Sequence, residues 1–194
     1  MSTLKTTNIT HGSNSGTANL TLASGGGVTT ADTLTVPTKK FVCPGTIIQV
    51  QSANFTGTAS TTSSSWTDTG LQVVITPTAT SSKVMLMATL SSGTSNVGYQ
   101  VHYRFDGVTT TAVGDAGGSA FQSGMSNKVH HVWGNDSMAM NFIDSPNSTS
   151  AITYKLQFAT TNNGVYTVYL NRSQSQDGNT GATMANLTAM ELAQ

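Results

Sequence analysis

Glutamate is nearly missing from this 194-residue chain; it occurs once, at Glu191. Charged residues of every kind make up 8% of the sequence and sum to a net charge of +0, where an ordinary globular domain carries about 25%. No run of Lys and Arg appears, so the electrostatic footprint of a nucleic-acid binder is missing and nucleic acid is not expected as a partner. The single cysteine, Cys43, excludes an intrachain disulfide and with it a disulfide-stapled secreted domain. Beside Pro44 it reads as a small, half-buried residue. No apolar run approaches the ~18 residues of a membrane span. The opening MSTLKTTNITHGS lacks the apolar core of a signal peptide. Neither membrane insertion nor secretion is therefore expected.

What fills the chain instead is Ser and Thr, together about 30% of it, far above ordinary usage. The residues that best build helices, Glu, Lys and Arg, are scarce. Thr, Val, Ile and Tyr favour strands. The chain reads as all-β. A surface so poor in charge implies that part of it is covered, and further copies of the same chain are the expected cover.

The organisation changes near residue 40. Residues 1–40 lack aromatics until the linker VPTKKFVCPG, and their apolar residues come in sparse alternating pairs, Leu20 with Leu22 and Leu34 with Val36. Strands this thin cannot build a core within one chain, but they can if three chains wind together. Residues 1–40 are read as an attachment and trimerisation arm, and residues 41–194 as the head. In the head, strands are read at TIIQVQSA, SWTDTG, LQVVITP, KVMLMATL, VGYQVHYRF, SMAMNFID, AITYKLQFA, GVYTVYLNR and TMANLTAMEL. Turn signals separate them at Gly93, Asp106-Gly107, Gly117-Gly118, Pro146-Asn147-Ser148, Asn162-Asn163-Gly164 and Asp177-Gly178. Many short strands with such punctuation indicate a sandwich or barrel. About eight in ~150 residues fit an antiparallel jelly roll.

The stretch SSSWTDTGLQVVITPTATSSKVMLMATL, residues 63–90, reads as a strand pair with a turn-like Thr69-Gly70. Leu71, Val73 and Ile75 share one face. In KVMLMATL, Val84, Leu86 and Ala88 alternate with Met85, Met87 and Thr89, so both faces carry apolar residues. A strand apolar on both faces is covered on both. One cover is the opposite sheet; Met85 and Met87 are assigned to a sister subunit, together with Leu20, Leu22, Leu34 and Val36 of the arm.

GTIIQVQSANF, the 63–90 stretch with its Asp-Thr-Gly-Leu and Ile-Thr-Pro, VHYRFDG and the closing NLTAMELAQ together resemble the globular domain of marine phage and cyanophage tail-fibre and virion proteins. The segment NITHGSNSGTANLTLASGGGVTTADTLTV is similar to the leader that precedes that domain. The resemblance covers nearly the whole chain, with its centre poorly matched, and the arrangement also looks like the trimeric jelly rolls of the tumour necrosis factor type. It implies a homotrimeric head on the exterior of a phage particle, made in the bacterial cytoplasm and joined to other virion proteins through residues 1–40. A short tail fibre or spike is the first expectation and a head-decorating cement protein the second. A glycan-binding lectin or glycan-cleaving enzyme is the alternative of another class.

Chemical candidates are few. His130-His131 with Asp136 and Asp144 do not make a metal motif, because adjacent residues on a strand point to opposite faces and no zinc spacing occurs. No Gly-x-Ser-x-Gly elbow occurs. Asp106 and Asp115 read as turn residues, not as a glycosidase pair. No enzymatic activity and no cofactor are expected. Trp66, Trp133, Tyr99, Tyr103 and Tyr166 read mainly as core or interface aromatics, with sugar stacking as the functional alternative. The irregular region 114–135 is the candidate host-contact loop, for a surface glycan or protein, through Gly117, Phe121, Met125, His130 and Trp133.

Overall fold

The computed structural model describes residues 43–194 except 116, 162, 163 and 179. The expected arm, with Leu20, Leu22, Leu34 and Val36, lies outside the described residues. Within them no helix occurs. Ten strands follow one another: β1 Ile47–Phe55, β2 Ala59–Thr61, β3 Thr67–Ile75, β4 Lys83–Thr94, β5 Gln100–Asp106, β6 Met125–Lys128, β7 Asp136–Asp144, β8 Ile152–Thr160, β9 Val168–Leu170 and β10 Ala185–Leu192.

The pairing is nested. β1 pairs β10, β3 pairs β8, β4 pairs β7 and β5 pairs β6, all antiparallel. This is one long hairpin rolled up on itself. Lateral contacts β10–β4 and β8–β5 then gather the pairs into two sheets. Sheet A runs β1-β10-β4 with β7 on the far side of β4, and the short β9 and β2 continue from the last residues of β4. Sheet B runs β3-β8-β5-β6. The described residues form an antiparallel jelly-roll sandwich, as composition and turn spacing imply.

Alternation along the strands sets the core. Leu71, Val73 and Ile75 of β3, Val101, Tyr103 and Phe105 of β5, and Tyr154, Leu156 and Phe158 of β8 face inward from sheet B. Val84, Leu86, Ala88, Met138, Met140, Leu187 and Ala189 meet them from sheet A. The two tyrosines taken inside find partners for their hydroxyls, as burial demands. Tyr103 Oη donates to Ser92 Oγ at 3.0 Å, and Tyr154 Oη donates to Asp144 Oδ2 at 2.8 Å. Burial pushes both phenols well above the ordinary tyrosine range; the Asp144 carboxylate adds to the rise at Tyr154, whereas the Ser92 bond opposes it at Tyr103.

Several sequence expectations are corrected. Thr69-Gly70 is not a turn: SWTDTG and LQVVITP join in the single strand β3, with a register shift between Asp68 and Gln72. Gly70 takes φ +88°, the left-handed conformation of a bulge residue. β3 and β4 do not pair; the turn at residues 76–82 carries the chain from sheet B to sheet A. Gly93 lies inside β4, packed so closely that a Cβ there would stand 2.5 Å from the Arg172 carbonyl oxygen. The strand expected at GVYTVYLNR shrinks to β9, because Val165 to Thr167 form the approach to it. β2 and β6 have too little alternation to stand out in the sequence. Cys43 is exposed, with Sγ 3.0 Å from Thr46 Oγ1.

Candidate functional site

The outer face of sheet A is set by register. Val50 pairs with Met190, Met190 with Met85, and Met85 with Ile143. Residues directly opposite one another in paired strands share a face, so four apolar side chains from four strands form one row. At the ~4.8 Å strand spacing the row is roughly 14 Å long. Val50 and Ile143 are 51% and 53% exposed, and Met85 and Met190 are half-buried. Ile47, 52% exposed, pairs with Leu192 beyond the row, and Met87, 39% exposed, lies on its other side.

The face turns polar away from the row. Ser52, Thr188, Met87 and Asn141 form the next rank; Asn54, Asn186, Thr89 and Ala139 form the one after. Asn186 Nδ2 donates to Ser52 Oγ at 2.8 Å and to Asn54 Oδ1 at 2.9 Å, while Thr188 Oγ1 donates to Asn186 Oδ1 at 2.8 Å. Beyond these lies a cleft of about 450 Å³ lined by Ser91, Ser137, Ala139, Thr183 and Met184.

Met85 and Met87, singled out from the two-sided pattern of their strand, thus sit on the outer face of sheet A. Val50, Met190 and Ile143 join them and were not foreseen. Each lies in a different strand, and only the register brings them together.

The candidate contact loop does not hold together. Met125 opens β6, opposite Tyr103, and packs against the core instead of facing solvent. Phe121 is half-buried on the outer face of sheet B, its ring 5.3 Å from Trp66 and 4.5 Å from His102. Gly117 and His130 are exposed. Trp133 is 64% exposed, its ring edge-on to His131 at 5.4 Å, and its backbone N–H donates to His131 Nδ1 at 3.2 Å.

The remaining aromatics are placed as structural residues. Tyr103 is fully buried. Tyr99 and Tyr166 stack on each other with their hydroxyls 2.6 Å apart. Trp66 carries the Arg104 guanidinium over its ring at 4.7 Å. Arg104 Nε also donates to Gln157 Oε1, and Gln157 and Lys155 both donate to Asp68, at 2.6 and 2.8 Å. The donors Lys155 and Gln157 hold the Asp68 carboxyl below its ordinary range.

No group of three His, Cys, Asp or Glu among the described residues is arranged to hold a metal ion. Asp144 and Asp136 are engaged structurally: Asp144 accepts from Tyr154 and the Thr109 N–H, and Asp136 accepts from Asn127 Nδ2. No described helix is long and apolar enough to cross a membrane.

No family model and no curated protein matches the chain. Among solved structures, it is similar to the protein of infectious bursal virus-derived T=1 particles, with a TM-score of 0.42 and 12% identity over 84% of this chain and 41% of that one. It is also similar to the VP2 subviral particle of infectious bursal disease virus, with a TM-score of 0.36 and 13% identity over 75% of this chain and 38% of that one. The chain spans about two fifths of the length of either.

Proposed function

We propose that this chain is a non-enzymatic structural protein of a phage particle whose jelly-roll head assembles with copies of itself through the outer face of sheet A. The observation that carries the reading is the apolar row Val50–Met190–Met85–Ile143. An apolar row across four strands, with its two end residues exposed, is the pattern of a surface covered by a partner. With 8% charged residues in the sequence, little else on the surface opposes self-association. The sequence resemblance to phage tail-fibre and virion proteins supplies the setting, a homotrimer attached to the particle through residues 1–40.

Sedimentation of the full chain tests the assembly. The expected result is a trimer that Met85→Asp converts to a folded monomer. A wild-type monomer at high micromolar concentration, or a trimer unaffected by Met85→Asp and Met190→Asp, overturns it. Deleting residues 1–38 is expected to leave the head folded and to block incorporation into particles. Labelling intact particles separates a tail fibre or spike from a decoration of the head.

A further inference from the structure

The outer face of sheet B carries a buried histidine that no structural or assembly role described above uses. His102 lies within β5 and is 2% exposed. Phe121 lies against its ring, and its Nδ1 is 3.3 Å from Ser123 Oγ. Its Nε2 is buried and has no hydrogen-bond partner among the described residues. Phe121 and Ser123 belong to the strap of residues 119–124. The Gly124 N–H donates to the Tyr103 carbonyl at 2.9 Å, and the Gly114 N–H donates to the Ser123 carbonyl at 3.0 Å. Gly124 has no room for a side chain, since a Cβ would stand 2.6 Å from the Ala112 carbonyl oxygen. The strap is therefore pinned at its end by the Gly124 bond. Along its length it is held by contacts to His102, by the Phe121–Trp66 pair, by the Gly114–Ser123 bond and by Gln122 Nε2, which donates to the Gly114 carbonyl at 3.0 Å.

We propose that His102 is a proton-sensitive latch: neutral, it holds the strap of residues 119–124 down on sheet B, and protonated, it releases it.

The reason is donor and charge balance. A neutral imidazole has one donor and one acceptor, whereas the cation has two donors. Ser123 Oγ can satisfy one nitrogen, and no described residue satisfies the other. The charges on this face give no help. By register, His102 stands opposite Ala159 and Ser126, both neutral. Two residues along β5 on the same face lies Arg104, and in the other direction Lys128 stands opposite Gln100. The carboxylates are committed or remote. Asp68 is bound by Lys155 and Gln157, Asp136 by Asn127, Asp106 stands opposite Lys155, and Asp115 is exposed in the connection before the strap. A buried cation flanked by two cations costs free energy that undocking the ring removes.

Burial holds the His102 ring below the ordinary histidine range. An undocked ring titrates near ~6.5. The docked strap binds fewer protons than the undocked one, so its stability is complete above that value and is lost as pH falls through the depressed one. Release uncovers Phe121 and one flank of Trp66, and leaves the face of sheet A untouched.

Trp66 emission in a full-length Trp133→Phe background reads the latch. Between pH 7.5 and 5.0 a red shift with a midpoint below about 6.5 is expected, together with a tenfold loss of hydrogen-exchange protection at the Gly114 amide after correction for intrinsic rates. Both changes disappear in His102→Phe, which keeps the ring packing and cannot take a proton. No transition above pH 5.0, or one unchanged in His102→Phe, overturns the latch. Should His102→Phe fail to melt cooperatively, NMR titration of wild-type His102 decides. A midpoint below about 6.5, with Phe121 ring resonances moving in step, supports the latch. A midpoint at or above about 6.5, or Phe121 static, refutes it.

Discussion

Glu191 accepts the backbone N–H of Thr78 at 2.7 Å, joining residues 113 apart in sequence. The same oxygen accepts Thr78 Oγ1 at 2.7 Å and Ser82 Oγ at 2.6 Å, and the other accepts Gln49 Nε2 at 2.6 Å. The chain's one glutamate thus holds the turn that carries β3 of sheet B into β4 of sheet A, and ties it to β1. Removing the carboxylate leaves four donors without their acceptor. Glu191→Ala is expected to lose on the order of 3 kcal/mol, measured by urea unfolding, and Glu191→Gln less, because one acceptor oxygen remains.

The same carboxylate sets an acid limit. Burial pushes the Glu191 carboxyl up, but Ser82, Gln49 and Thr78 together outweigh this, and it rests below the usual range. A depressed folded value means stability that is present above the unfolded value near ~4.3 and is lost as pH falls below it. Melting temperature measured from pH 5 to 3 is expected to fall more steeply in the wild type than in Glu191→Gln.

Asn171 sits at φ +63° and is fully buried, its Nδ2 donating to the carbonyls of Phe55 and Gly57 at 2.8 and 2.9 Å. Asn171→Gly keeps the backbone conformation and loses the two bonds, whereas Asn171→Ala loses both. Thermal unfolding is expected to show Asn171→Ala destabilised by about 1 kcal/mol more than Asn171→Gly.

Gly107 closes the turn after β5 at φ +83°, and a Cβ there would stand 2.3 Å from the Thr153 carbonyl oxygen. Gly107→Ala is expected to cost more than the ~1 kcal/mol of a left-handed alanine alone, because backbone atoms of β8 must also move. Chemical denaturation with an unchanged m-value checks this.

The exposed ion pair Lys155–Asp68, at 2.8 Å, is the contrasting case. Solvent screens both groups, so Lys155→Met is expected to leave the urea midpoint nearly unchanged, and added salt to narrow what difference there is.

These cases show which features a sequence displays. The core faces of β3, β4 and β8 were legible because their apolar residues alternate with period two, and burial of one face enforces that alternation. The two apolar methionines on the outer face of β4 were legible for the same reason. What could not be read were relations fixed only by pairing. Val50, Met190 and Ile143 look unremarkable in their own strands and become a row only when the register is known. Thr69-Gly70 has the composition of a turn and serves as a bulge, because β8 continues alongside it. Phe121 and Met125 lie in a Gly- and Ser-rich stretch that reads as loop, yet sheet B takes them up, one as a cover and one as a strand residue. His102 was hidden because a histidine in a strand carries no mark of the strap that buries it.

The mutual bonds at the edge of sheet A also fix how the head responds to tension. The Gly45 N–H donates to the Ala193 carbonyl and the Ala193 N–H to the Thr46 carbonyl, each at 2.9 Å. Residues 45 and 193 are therefore neighbours at one end of the antiparallel pair β1–β10. A pull on these two points peels that pair open one bond after another, like a zipper, instead of shearing all its bonds at once. The head is built to be far weaker against stretching between these points than its buried core implies. A load that spared this pair would have to reach the sandwich across the sheet face and not through residues 45 and 193.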